Sequence, residues 1–86
     1  MSAALKQQVT ELISNSAVVV FSKSFCPYCD TAKGILNKAG VEFELRELDK
    51  EQEGSNIQNF LAELTQQTTV PNIFIAGNHI GGCSDL

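Results

Sequence analysis

Tryptophan is absent from this chain, and tyrosine, histidine and methionine each occur once. Basic residues are also scarce. Six Lys and Arg stand against ten Asp and Glu, a formal net charge of −4, which excludes an extended basic surface for nucleic acid. No apolar run approaches the length that crosses a bilayer. The opening residues, Met1-Ser2-Ala3-Ala4-Leu5-Lys6, lack both the long apolar core of a signal peptide and the Arg-rich character of a transit peptide. A cytoplasmic protein with neither nucleic acid nor membrane as partner is expected. Three cysteines are an odd number, which excludes an extracellular disulfide framework. No repeat, linker or low-complexity segment divides the 86 residues, so residues 1–86 read as one small domain.

What is present centres on Ser22-Lys23-Ser24-Phe25-Cys26-Pro27-Tyr28-Cys29. The apolar, β-branched run Ala17–Phe21 before it reads as a buried strand. After it, Ala32, Ile35, Leu36 and Ala39 follow helical spacing as far as Gly40. Both cysteines therefore belong to a strand-to-helix turn, with Pro27 at the first helical position. The first turn of a helix offers unpaired N–H groups and a positive dipole end, and both favour an anion on Cys26. Lys23 adds a cation three residues upstream. The thiolate is the nucleophilic form of cysteine. One helical turn on, Cys29 is placed to attack a mixed disulfide at Cys26.

Elsewhere, Leu5, Val9, Leu12 and Ile13 share one helical face. Val41, Phe43 and Leu45 alternate with Glu42, Glu44 and Arg46, a half-buried strand ending at Glu47-Leu48 and parallel to the first. The acidic stretch Glu47–Glu53 reads as a solvated loop. Ser55-Asn56-Ile57-Gln58 has the form of a capping box, opening a third helix marked by Ile57, Phe60, Leu61 and Leu64. A strand entered through Pro71, a turn at Ala76-Gly77-Asn78 and a return strand at His79-Ile80 complete the pattern, and Ser84-Asp85 can start a fourth helix. The expected fold is an α/β sandwich around a mixed four-stranded sheet.

Three motifs in this order, Lys23 with Cys26-Pro27-Tyr28-Cys29, Thr69-Val70-Pro71, and Gly81-Gly82-Cys83-Ser84-Asp85, make the chain resemble a dithiol glutaredoxin over nearly its whole length. The resemblance implies a thioredoxin-like three-layer α/β/α fold. Such proteins continue into a C-terminal helix, which is expected to be missing here, and often carry a basic residue where Thr68 stands. It also implies an enzyme with glutathione as co-substrate, no bound cofactor and no metal. Glutathionylated or disulfide-containing proteins would be its other partners, and a monomer is expected.

By that resemblance Cys26 forms the mixed disulfide, Lys23 and Gln58 bind the glycine carboxylate of glutathione, and Tyr28 flanks the sulfur. Val70, before a cis Pro71, offers its backbone N–H and C=O to the glutathione cysteine, and Thr69 and Pro71 belong to the same binding set. Beyond Gly82, the N–H groups of Cys83 and Ser84 take the γ-glutamyl carboxylate, and Asp85 pairs with its ammonium. Other readings remain open. Cys83 is alternatively an inert packed thiol, Gln58 alternatively a capping residue, and Phe25 a packing residue, while lone His79 reads as exposed. Cys26 and Cys29 with His79 and Cys83 could hold structural zinc, and a glutathione-ligated [2Fe–2S] carrier is a further alternative.

Overall fold

A computed structural model describes residues 2–86. Helix α1, Ala3–Asn15, starts where Ser2 Oγ accepts the Leu5 N–H at 3.1 Å, and it buries Val9 and Ile13. Strand β1, Val18–Ser22, is buried throughout because it lies at the centre of the sheet, with a neighbour on each side. Helix α2 covers Pro27–Lys38, β2 Glu44–Glu47 and α3 Gly54–Thr65. Strands β3, Asn72–Ile75, and β4, Asn78–Gly81, form a hairpin, followed by a 3-10 turn at Cys83–Asp85.

The strand order is β2-β1-β3-β4. Strand β2 runs parallel to β1 (Val20 opposite Leu45), while β3 is antiparallel to both β1 and β4. Side chains of β1 alternate between two cores, as the pleat requires. Val19 and Phe21 join Val9, Ile13, Leu48, Ile57, Leu61 and Phe74 beneath α1 and α3. Val18 and Val20 join Ile73, Ala32 and Leu36 beneath α2. Phe21 and Phe74 meet edge to face at 5.9 Å and 85°, a favourable aromatic geometry. The mixed four-stranded sheet between helical layers is the thioredoxin-like architecture expected.

Several local expectations are corrected. The strand begins at Glu44 rather than Val41. The Val41 N–H is spent on the Leu36 carbonyl at 3.0 Å and the Gly40 N–H on Asn37 at 3.0 Å. With Gly40 at φ 74°, this is a Schellman stop for α2, and it removes Val41 from the ladder. Leu45 stays 41% exposed because β2 is an edge strand and neither core reaches it.

Nor is Glu47–Glu53 a plain loop. Residues Leu48–Lys50 form a 3-10 turn with Leu48 buried, and Arg46 holds Glu51 through two bonds of 2.7 and 2.5 Å. The capping box at Ser55 does not form: α3 starts at Gly54, with Glu53 as its N-cap and no side-chain cap. The early start depends on a close approach, since a Cβ on Gly54 would collide with the Leu48 carbonyl. Ser84-Asp85 falls in the short 3-10 turn instead of opening an α-helix.

Candidate functional site

Cys26 is the N-cap of α2, with extended backbone (φ −99°, ψ 114°) and Pro27 following as the first helical residue. Its sulfur accepts the Cys29 N–H at 3.2 Å, using one of the donors that a helix start leaves unpaired. The Cys26 N–H is held in turn by the Lys23 carbonyl at 3.2 Å. The thiol is half-buried, whereas Cys29 has no exposed surface. Burial pushes the Cys29 thiol up from its ordinary value, and the neighbouring Cys26 sulfur pushes it further. Bonds from Ser22 and the Lys23 backbone oppose the shift. The two sulfurs therefore differ in setting, with one half-buried at a helix start and the other fully buried behind it, its thiol pushed up.

The turn carrying Cys26 is anchored from outside by a residue the sequence did not reveal. Asp49, in the 3-10 turn after β2, accepts both the hydroxyl and the N–H of Ser24, the latter at 2.9 Å. These bonds hold the Asp49 carboxyl below the usual carboxylate range. The acidic composition around Asp49 masked this contact, and no local spacing marks a partner 25 residues away.

Beside the turn runs a groove of about 570 Å³ walled by Tyr28, Thr31, Thr69, Val70, Pro71, Gly82, Cys83 and Ser84. The Val70 carbonyl oxygen lies 3.8 Å from Cys26 Sγ, and the Val70–Pro71 bond is cis, as the resemblance implied. Seven of the binding residues named from the sequence thus line one groove. Thr31 was missed. It follows Tyr28 by three positions on the same helical face, and its hydroxyl donates to the Pro27 carbonyl at 3.1 Å.

Three of the named binding residues lie outside that groove. Lys23 contributes its backbone carbonyl to the Cys26 turn. Gln58 donates to the Thr68 carbonyl at 3.1 Å, so it caps no helix. The Asp85 carboxylate accepts the Gly82 N–H at 2.9 Å. Tyr28 and Phe25 are 72% and 73% exposed, so Phe25 is not the packing residue expected. Cys83 is half-buried against the α2-side core and also lines the groove.

The four proposed zinc ligands are not assembled. Among the described residues no three His, Cys, Asp or Glu side chains gather as a metal set. His79 instead has Nε2 3.2 Å from Gln67 Oε1, and its ring lies 5.3 Å from that of Phe74. Its exposure is as expected, its contacts are not.

The Glutaredoxin family model matches residues 18–80, which span the Cys26 turn, the Val70 loop and the hairpin. A glutaredoxin of Vernicia fordii is 60% identical over 73 residues, covering 85% of this chain and 70% of that protein. Glutaredoxin-1 of Rhizophagus irregularis is 54% identical over 82 residues, covering 95% and 81%. Among solved structures, a buckwheat glutaredoxin–glutathione complex superposes with a TM-score of 0.92 at 41% identity, over 95% of this chain and 74% of that one. A helix-start cysteine backed by a buried one, set in this fold and matched by these relatives, identifies the chain as a member of the glutaredoxin family of thiol oxidoreductases.

Proposed function

We propose that this chain reduces glutathione mixed disulfides and protein disulfides through Cys26, with Cys29 as the resolving thiol. The observation that carries the reading is the asymmetry of the pair. Cys26 Sγ, half-buried, takes an N–H at the start of α2, and Cys29 sits fully buried behind it. The glutathione complex of the buckwheat relative supports the co-substrate.

In the monothiol cycle the Cys26 thiolate attacks the glutathione sulfur of a mixed disulfide. The bond between glutathione and its carrier breaks, and the carrier leaves as a thiolate that takes a proton from water. The Cys26–glutathione disulfide is then attacked by a second glutathione thiolate, which releases glutathione disulfide and regenerates Cys26. Cys29 takes no part in this cycle. With a protein disulfide, Cys26 instead becomes joined to the substrate, and the Cys29 thiolate attacks Cys26 Sγ. The substrate's second thiolate leaves, and a Cys26–Cys29 disulfide remains with a potential of about −200 to −230 mV.

The remaining residues bind. Tyr28, Thr69, Val70 and Pro71 border the cysteinyl part of glutathione, and Gly82, Cys83, Ser84 and Asp85 meet its γ-glutamyl end at the 3-10 turn. Lys23 and Gln58 supply a cation and an amide for its glycine carboxylate. The same reading takes the protein as a monomer of the reducing cytosol, where free thiols persist. Cys26→Ser is expected to abolish turnover of a glutathionylated peptide, and Cys29→Ser to retain it while losing protein-disulfide reduction. A Cys26→Ser variant that still turns over would refute the assignment.

A further inference from the structure

Four consecutive carbonyls, those of Thr68, Thr69, Val70 and Pro71, run along the loop facing Cys26. Glutamine amides hold three of them. Gln58 Nε2 donates to Thr68 at 3.1 Å, and Gln67 Nε2 donates to Thr69 at 3.1 Å and to Pro71 at 3.0 Å. The remaining one, that of Val70, is directed at Cys26 Sγ, 3.8 Å away. Gln67 is itself fixed from two sides. Its N–H donates to Thr65 Oγ1 at 3.1 Å, and its Oε1 lies 3.2 Å from Nε2 of His79, whose ring rests on Phe74 of the core. With both amide hydrogens used on carbonyls and the oxygen used on His79, the side chain has one satisfying orientation.

We propose that Gln67 is a positioning residue for the reaction, holding the two carbonyls that flank Val70 so that the Val70 backbone faces the reacting sulfur and can pair with the peptide that carries the substrate cysteine. The peptide bond transmits the constraint. Because it is planar, fixing the Thr69 carbonyl toward Gln67 points the Val70 N–H the opposite way. The bond to the Pro71 carbonyl fixes the next peptide plane, Pro71–Asn72, where the loop passes into β3. No regular secondary structure holds residues 67–71. Without the amide the Thr69 carbonyl would turn to water, and the peptide plane that carries the Val70 N–H would turn with it.

The inference rests on the glutathione reading above and is tested by separating binding from thiol chemistry. Gln67→Met keeps length and bulk but has no amide. His79→Phe keeps a ring against Phe74 but removes the group that orients Gln67. KM and kcat are measured for a glutathionylated peptide, alongside the rate of Cys26 alkylation by iodoacetamide, which needs no pairing with Val70. Gln67→Met is expected to raise KM about tenfold and His79→Phe about threefold, with alkylation within about twofold of wild type in both.

An unchanged KM in both folded variants would overturn the proposal, as would alkylation falling in step with turnover. Should Gln67→Met not fold, the result for His79→Phe decides. A wild-type protein that fails to turn over the peptide removes the glutathione reading and this inference together. Normal wild-type turnover with indifferent variants removes the inference alone.

Discussion

On one side of the groove, Cys26 meets backbone groups of its own turn: the Lys23 carbonyl before it and the Cys29 N–H after it. On the other side, the Val70 loop belongs to no helix or strand, and the amides of Gln58 and Gln67 keep its carbonyls in place. The first wall is a helix start, a device that repeats across proteins and has a recognisable residue pattern. The second is particular to this loop and depends on one side chain from α3, Gln58, and one from the loop itself, Gln67, which His79 steadies from β4. A wall made of backbone should tolerate side-chain substitution outside the cysteines, and a wall made of amides should not.

The largest expected effect tests both walls at once. Phe21 lies in the core beneath α1 and α3, at the centre of the sheet from which both walls spring. Phe21→Ala should cost about 3–5 kcal/mol, measured by urea unfolding, with turnover lost in proportion to the unfolded fraction. Turnover lost while the protein stays folded would show a direct link from Phe21 to the site.

Next comes the pH dependence of disulfide closure. Burial, the main reason the Cys29 thiol is raised, persists when Cys26 is in a mixed disulfide. Cys29 therefore stays protonated at neutral pH and is freed as pH climbs through and beyond the ordinary thiol range. Formation of the Cys26–Cys29 disulfide from the Cys26–glutathione adduct, followed by mass spectrometry, should accelerate about tenfold per pH unit up to at least about pH 8.5. A plateau at neutral pH would contradict a buried, protonated Cys29.

A smaller effect is expected from Asp49→Ala, which removes the external tether on the Cys26 turn. Turnover should fall by no more than about threefold, less than for Gln67→Met. An equal loss would mean that the Cys26 wall leans on its side-chain tether as heavily as the Val70 loop leans on its amides, and the contrast would fail. The Asp49 carboxyl is held low by Ser24, so the tether is complete above the ordinary carboxylate range and is lost as pH falls through the depressed value. Exchange protection of the Ser24 amide should accordingly be flat between about pH 5 and 8 and disappear in acid. The smallest change, Thr31→Val, leaves the groove wall in place and should alter KM by less than about twofold.

The division between the walls also marks what was legible in the sequence. The run Val18–Phe21, the helical spacing after Cys29 and Pro27 at the first helical position announced β1, α2 and the cysteine turn, because each follows from local periodicity or a local cap. Val41 misled because alternation cannot show that its N–H is taken by the end of α2. Ser55 misled because the helix start is set by how closely Gly54 approaches Leu48, a tertiary contact. Gln67 and Asp49 were invisible for a related reason. A polar side chain in a polar stretch looks the same whether it faces water or holds a carbonyl from another part of the chain.

The complete burial of Cys29 has one more consequence. Of the two cysteines in the α2 pair only Cys26 reaches the surface, so on the proposed reading every exchange passes through one sulfur and the molecule is a circuit with one terminal. Donor and acceptor cannot occupy that terminal together, and each must leave before the other arrives. Double-reciprocal plots against glutathione at several disulfide concentrations should then run parallel, the signature of a ping-pong relay.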